Sequence, residues 1–295
     1  MKKAFIQLHI AVFLAGFTAI LGKLIILNEG LLVWYRMLIT TITLLLILIF
    51  TREFIKLSFK NTFRLFGVGV IVALHWLTFY GSIKYSNASV GLTCLSAIGF
   101  FTAFIDPMIT RRRIDWFEVI LGLMAIAGIY LIFNFYPEYK KGIIFGIISA
   151  LLASIFPILN KKLLTRFTPK IVTVYEMCGG FLALTFIIPF YFKLFPAKYF
   201  FPTTTDWLWL LVLAWLCTVL SFILQLNALK KISPFTANLT YNLEPIYGII
   251  FAFIIFHENK YLSSGFYVGL SLILLAVVLQ MARVFWVVRR ERLRG

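Results

Sequence analysis

Long apolar segments recur along the whole chain, and they constrain the fold more than any other feature of the sequence. Ten of them approach the ~20 residues that an α-helix needs to cross ~30 Å of hydrocarbon. Transmembrane β-strands would instead appear as ~10-residue stretches of alternating polarity. The sequence therefore predicts an all-α polytopic membrane protein with ten transmembrane helices. They are placed at residues 5–26, 31–50, 64–83, 87–110, 115–135, 142–160, 171–192, 206–228, 232–256 and 261–284.

The composition supports a bilayer as the main solvent. Of the 295 residues, 62% are hydrophobic and 13% are charged, whereas a soluble domain is about half apolar and about a quarter charged. The N-terminal apolar stretch is longer than the usual 7–15-residue core of a signal peptide and lacks a small-residue cleavage site. We therefore interpret it as the first transmembrane helix.

The basic residues predict the orientation in the membrane. Of the 28 lysine and arginine residues, twenty fall in the segments on one side of the predicted spans and six on the other side. Because cytoplasmic loops are enriched in Lys and Arg, both termini are predicted to be cytoplasmic, in a cell inner (plasma) membrane. The net charge of +17 does not indicate nucleic-acid binding, since no soluble domain is available to present a groove.

The two halves of the chain show a weak internal sequence similarity. The segment GSIKYSNASVGLTCLSAIGFF (81–101) and the segment ALKKISPFTANLTYNLEPIYG (228–248) both combine a short basic turn with a polar-flecked helix, about 146 residues apart. Five helices per half is an odd number, so the second half is expected to cross the membrane in the opposite sense. The predicted units are a five-helix repeat at 1–136, an inverted five-helix repeat at 137–288 and a basic cytoplasmic tail at 289–295.

The ninth predicted helix carries polar residues near the middle of the bilayer. Asn238, Tyr241, Asn242 and Pro245 share one face at 100° per residue, and Glu244 lies about 60° from Tyr241. Pro245 removes a backbone hydrogen bond and predicts a helix break. Such groups fit the lining of a water-accessible cavity. The alternatives are interhelical hydrogen bonds and a protonated Glu244 that only caps the break.

The third predicted helix supplies candidates to face them. His75, Trp76, Phe79 and Tyr80 lie on one arc, and their aromatic rings suit an organic solute with an ammonium group. The alternatives are a histidine that only hydrogen-bonds a neighbouring helix and an aromatic stripe that only packs. Ser96, on the fourth helix, is a weaker candidate at similar depth.

Lys23 and Arg36 are the two basic residues inside predicted spans. They are expected near the outer face, where their side chains would snorkel to water. Alternatively, they form an outer gate or a clamp for a substrate carboxylate.

Signatures of enzymes and metal sites are missing from the sequence. It has no GxxxxGK[ST] loop, and HENKY (257–261) is not an HExxH motif, because residue 261 is tyrosine. The three cysteines are isolated and the three histidines are dispersed. We therefore predict no catalytic residues, no metal and no cofactor.

Several of these residues resemble the EamA-type members of the drug/metabolite transporter superfamily. The resemblance rests on the five-plus-five plan and on VWYRMLI around Arg36, AGFTAILGK (15–23), ALKKISPFTANL (228–239) and LEP (243–245) with HE (257–258). It covers about residues 5–284. The first half departs from the family pattern, with Gly99 in place of the expected proline and Arg112 in place of the expected glutamate.

The resemblance implies a secondary transporter that moves a small organic metabolite, such as an amino acid, by alternating access. The expected partners are the small-molecule substrate, the lipid bilayer and protons, the latter through Glu244 and His75, with the chain as a monomer or homodimer. The main alternative is a carrier of nucleotide sugars or sugar phosphates. A lipid-modifying membrane enzyme and a membrane scaffold are rivals from other classes.

The charge bias leads to a test of orientation. Single cysteines introduced at residues 193–202 are expected to react with an impermeant thiol reagent on intact cells, in a background that lacks Cys94, Cys178 and Cys217. Cysteines at residues 52–60 are expected to react only after the cells are permeabilised. The reverse pattern of labelling would overturn the predicted orientation.

Overall fold

The computed structural model describes residues 2–52, 56–135, 137–232, 237, 240, 241 and 243–292, and within them the regular structure is helical, with no strand. The first half contains α1 (Lys2–Leu24), α2 (Glu29–Thr51), α3 (Phe59–Tyr85), α4 (Ala88–Leu95), α5 (Ile98–Thr110) and α6 (Trp116–Phe135). The second half contains α7 (Lys140–Leu163), α8 (Pro169–Leu194), α9 (Thr204–Ala214), α10 (Ser221–Leu229), α11 (Glu244–Phe256) and α12 (Ser264–Arg292).

These helices coincide with the predicted spans. Within the described residues, seven segments are long and apolar enough to cross a membrane when α4 is counted with α5 and α9 with α10. Shorter apolar helices within α6, α11 and α12 coincide with the other predicted spans. The all-α membrane fold is therefore confirmed, whereas the number of ten crossings stays a prediction. The last helix continues to Arg292, beyond its predicted end at residue 284.

Helix starts follow local sequence signals. The Asn28 side chain, just before α2, accepts a hydrogen bond from the backbone N–H of Gly30 at 2.8 Å. Thr203 and Asp206 form a reciprocal capping box at the start of α9. These side chains satisfy N–H groups that have no partner within the helix.

Three of the predicted spans are interrupted. The fourth span changes from α4 to α5 around Ser96, and the eighth contains a π-helical turn, Trp215–Leu220, between α9 and α10. In the ninth span, Ala237, Thr240 and Tyr241 are helical and Leu243 forms a turn before α11 begins at Glu244. Pro245 therefore lies in the first turn of α11, where its missing N–H removes no hydrogen bond. Only this last interruption has a proline, and only it was predicted.

Helix α3 occupies the centre of the bundle and packs most extensively against α7 and α8. Its contact with α8 depends on glycine. A Cβ atom on Gly69 would lie 2.0 Å from the carbonyl oxygen of Glu176, and one on Gly180 would lie 2.6 Å from the carbonyl oxygen of Gly69. Gly128 and Gly269 bring α6 and α12 together in the same way. Small residues thus allow the backbones to approach closely, as in other membrane helix pairs.

The α3–α8 contact generates a prediction with an internal control. Gly69→Ala would force the backbones apart and is expected to cost about 2 kcal/mol of stability, measured as a lower melting temperature in detergent. Gly67→Ala is in the same helix, and its Cβ would meet no atom within 4 Å. It should be neutral or slightly stabilising, because alanine favours a helix by about 1 kcal/mol over glycine. Equal melting temperatures for the two variants would contradict the close approach.

Candidate functional site

A cavity of about 70 Å³ lies between the two halves of the bundle. This is room for a few water molecules, since one requires ~10–15 Å³. Its walls come from α1, α2, α3, α5, α7, α10 and α11, from the end of α4, from the middle of the π-helical turn and from Tyr241. The lining residues are Ala15, Thr18, Arg36, His75, Trp76, Phe79, Leu95, Ile98, Ala153, Phe156, Pro157, Cys217, Ser221, Phe222, Gln225, Tyr241 and Glu244.

Arg36 is the main charged group of this cavity, and it is only 2% exposed. Its Nε donates to Thr218 Oγ1 at 2.7 Å, one terminal nitrogen donates to the Tyr80 hydroxyl at 2.9 Å and the other donates to the Cys217 carbonyl at 3.4 Å. The guanidinium carbon lies 3.6 Å from the centre of the Trp76 ring. A guanidinium has five N–H donors, so two have no acceptor among the described residues.

The π-helical turn provides two of these contacts. In a π-helix the backbone N–H of residue i+5 donates to the carbonyl of residue i. The Thr218 side-chain hydroxyl also donates to the carbonyl five residues earlier, that of Leu213, at 2.8 Å. The wider turn presents Thr218 and the Cys217 carbonyl to Arg36. Single π-helical turns of this kind frequently occur at functional sites.

Glu244 lines the same cavity at the start of α11 and is 8% exposed. The positive end of the helix dipole favours a carboxylate at this position. Glu244 and Arg36 interact electrostatically, but no ion pair within 4 Å joins them among the described contacts. The cavity therefore contains a guanidinium and a carboxyl group that are not in direct contact.

His75 is anchored to α7 through Ser149. Its Nδ1 lies 3.0 Å from the Ser149 carbonyl oxygen and 2.8 Å from Ser149 Oγ. With the ring hydrogen assigned to Nδ1, this atom donates to the Ser149 carbonyl, and Ser149 Oγ can then donate to the His75 carbonyl at 3.1 Å. In the neutral ring, Nε2 is left as an acceptor. His75 is thus both an interhelical donor and a cavity residue.

Aromatic rings form much of the remaining wall. The His75 ring lies 6.2 Å from that of Phe79 and 5.8 Å from that of Phe156, and Phe156 stacks against Phe222 at 6.2 Å. The Tyr80 ring is completely buried behind this wall, next to Phe79. Such a wall gives an organic solute apolar contact area and gives a cation the negative faces of the rings.

The other predicted site residues divide into three groups. Tyr241 lines the cavity. Ser96 is buried at the α4–α5 interruption, but it does not belong to the lining, and its hydroxyl has no partner among the described residues. Asn238 and Asn242 lie outside the described residues.

Lys23 and Arg36, which were predicted as one gate or clamp, are separated in the structure. Arg36 does not snorkel to the surface, since its guanidinium is held inside the bundle. Lys23 instead forms a 2.7 Å ion pair with Glu258 and lies 4.4 Å from the centre of the Phe256 ring. Residue spacing alone could not reveal this difference, because rotation about the helix axis determines which side chain points inward.

Glu258 joins three elements at that end of the bundle. Besides Lys23 of α1, it accepts hydrogen bonds from the N–H groups of Ala88 and Ser89, at 3.3 and 2.9 Å, and from the Ser89 hydroxyl at 2.5 Å. Its carboxylate thus satisfies the first turn of α4. Arg112, at the corresponding position of the first half, pairs with Asp106 at 2.8 Å.

Sequence reasoning missed several polar residues of the site. Thr218, Ser221 and Gln225 of the eighth span contact Arg36 or line the cavity. Their spacing of three and four residues puts them on one helical face, and this pattern could have identified them. In the part of the chain that the structure describes, no group of His, Cys, Asp and Glu is suited to hold a metal ion.

The Glu258 cluster predicts unequal effects at its two ends. Glu258→Ala would leave two N–H groups of α4 and the Lys23 ammonium without their acceptor, and is expected to cost about 2–3 kcal/mol. Lys23→Ala should cost about 1 kcal/mol or less, because the Lys23 side chain is 37% exposed and Glu258 keeps its other donors. Melting temperatures in detergent measure the stability lost in both variants. Glu138→Ala, which truncates an exposed side chain, is the control. A larger loss for Lys23→Ala would contradict the assignment of Glu258 as the central acceptor.

Comparison with known proteins relates this arrangement to a family. The chain is 25% identical over 273 residues to the uncharacterized transporter YetK of Bacillus subtilis (strain 168), covering 86% of this chain and 80% of that protein. It is 27% identical over 215 residues to an uncharacterized transporter of Archaeoglobus fulgidus, covering 73% and 75%. One crystal structure superposes with a TM-score of 0.67 over 94% of this chain and 96% of that chain. At 14% identity, this last likeness concerns the fold alone.

The family profile described as EamA-like transporter family matches the chain twice, at residues 2–134 and at residues 140–281. The two matches cover most of the length of the chain. The family resemblance expected from the residues is confirmed, and a role in transport is supported. The chain belongs to the EamA-like transporter family.

Proposed function

We propose that the protein is a secondary transporter of the inner membrane that moves a small zwitterionic metabolite, of the amino-acid class, by alternating access. The substrate binds in the central cavity between two inverted repeats, residues 1–136 and 137–288. The observation that carries the proposal is the presence of Arg36 and Glu244 in one cavity without a direct ion pair.

The helix interruptions support the two-repeat mechanism. The gap between α4 and α5 and the start of α11 are about 146 residues apart, the same offset as the internal sequence similarity. In transporters with inverted repeats, interrupted helices at corresponding positions form the substrate site near the membrane midplane. Leu95 and Ile98, on either side of the first gap, and Glu244, at the second, all line the cavity.

The chemistry of the cavity favours a zwitterion. The two remaining N–H donors of Arg36 suit a carboxylate, which a guanidinium binds with parallel hydrogen bonds. Glu244 and the faces of the aromatic rings suit an ammonium group. Among the described lining residues, Arg36 is the sole arginine or lysine, and this disfavours the alternative of a sugar phosphate or nucleotide sugar, whose phosphates would require several cations.

Substrate entry requires the helices to move. A cavity of about 70 Å³ is far below the ~300–1,000 Å³ of a typical small-molecule pocket. Alternating access would enlarge it as one repeat rocks against the other. The Lys23–Glu258 pair and its bonds to α4 lie at the end predicted to face outward, where we propose that they act as the outer gate.

A proton is the proposed coupling ion. Glu244 and the Nε2 atom of His75 are proton acceptors in the same cavity as Arg36. Protonation of Glu244 would remove the anion that holds the substrate ammonium, so proton binding and substrate binding would compete at one site. This competition is sufficient to link solute movement to a proton gradient.

A solute screen followed by variant analysis tests the proposal. Amino acids are expected to raise the melting temperature of the purified protein more than the matching acids without an amine or the matching amines without a carboxylate. In proteoliposomes, Arg36→Gln should weaken solute binding about tenfold to a hundredfold, because a charge-assisted hydrogen-bond pair is lost. Glu244→Gln should abolish transport driven by a pH gradient and retain solute exchange at a lower apparent affinity, because the substrate ammonium loses its anionic partner.

The control for both variants is Arg113→Gln, which removes an exposed charge outside the cavity and should leave transport unchanged. Stabilisation by sugar phosphates instead of zwitterions would reject the proposed substrate class. Undiminished solute uptake by Arg36→Gln would reject the proposed binding of the substrate carboxylate by Arg36. If Glu244→Gln keeps both pH-driven transport and exchange, Glu244 serves only the start of α11 and the coupling proposal is wrong.

A further inference from the structure

A second cavity, separate from the central one, opens near the predicted cytoplasmic end of the bundle. It lies between residues 61–71 of α3 and residues 159–167, which include the end of α7 and the turn before α8. Its volume is about 740 Å³, roughly ten times that of the central cavity, and none of its lining residues belongs to the central site. The groove therefore needs its own explanation.

The floor of this groove is apolar and open. Val68, Ile71 and Leu159 contribute aliphatic surface, and Phe63 is 71% exposed at its edge. Gly67 deepens the groove, because a Cβ atom there would meet no atom within 4 Å. An open apolar surface near the predicted cytoplasmic end of the bundle matches the acyl chains of a lipid in shape and polarity.

Three cations surround the floor, namely Arg64, Lys162 and Arg166. Lys162 Nζ donates to the Ile109 carbonyl at 3.0 Å, at the end of α5. Arg64 and Arg166 are exposed, and neither side chain has an ion pair or hydrogen bond with another described residue. The described lining contains no aspartate or glutamate, so the positive charge is not compensated within the groove.

We propose that this groove binds an anionic diacyl phospholipid. The phosphate would lie between Arg64 and Arg166, and an acyl chain would cover the apolar floor at Gly67. The combination argues for a lipid rather than a soluble phosphate, because a free anion would gain nothing from the apolar floor. Basic pockets between transmembrane helices on the cytoplasmic side are suited to anionic head groups.

The charge requirement is tested on the full chain in detergent. Native mass spectrometry would measure the affinity for phosphatidylglycerol and for phosphatidylcholine of the same chain length. The wild-type protein should retain phosphatidylglycerol preferentially. In Arg64→Gln/Arg166→Gln, binding of phosphatidylglycerol should fall about 25-fold, because each basic side chain near an anionic surface contributes roughly fivefold in affinity. The matched control is Arg52→Gln/Arg113→Gln, which removes two exposed arginines outside the groove and should bind normally.

The shape requirement is tested with Gly67→Phe, which fills the open floor and should weaken both lipids. Leu123→Phe, at an exposed position of α6, is the steric control. Equal retention of the two lipids by the wild type would overturn the proposal. So would displacement of the lipid by inorganic phosphate alone, which would identify a simple anion site. Loss of a dimer in Gly67→Phe, without loss of lipid, would identify the groove as an interface between two copies and would also overturn it.

Discussion

The buried guanidinium of Arg36 imposes conditions on much of the surrounding structure. A charged arginine at the centre of a membrane helix costs about 3 kcal/mol even on the most lenient scale. Its N–H groups must therefore find acceptors, and Tyr80, Thr218 and the Cys217 carbonyl accept hydrogen bonds from three of the five. The Trp76 face covers the guanidinium. Helices α2, α3 and the π-helical turn are thus connected through one side chain.

The absence of water from the hydrocarbon layer also explains where the helices are interrupted. Within hydrocarbon a broken helix leaves backbone groups without partners, so interruptions are tolerated only against protein or a wet cavity. Both the π-helical turn and the start of α11 contribute residues to the central cavity. The Cys217 carbonyl, which bonds to Arg36, is one group that this geometry makes available. Backbone irregularity and the polar site therefore occupy the same layer of the bundle.

The two ends of the bundle are organised differently from its centre. At one end, Glu258 is bonded to Lys23 and to the first turn of α4. At the other, an open groove lies between α3 and the end of α7, with Arg64 and Arg166 at its edge. Close glycine contacts, such as Gly69 against α8, hold neighbouring helices together. A bundle that is tight between helices but interrupted near its centre is suited to rocking motions of rigid parts.

The sequence by itself determined the fold class, the approximate positions of the helices, the family and five of the charged or aromatic residues that line the cavity, namely His75, Trp76, Phe79, Tyr241 and Glu244. It could do so because the bilayer forces long apolar segments into helices and makes every polar group within them conspicuous. Only the tertiary structure decided that Arg36 faces inward while Lys23 pairs with Glu258, and that Thr218 joins the site. These outcomes depend on helix rotation and on a π-helical turn without proline, and neither follows from the spacing of residues along one helix.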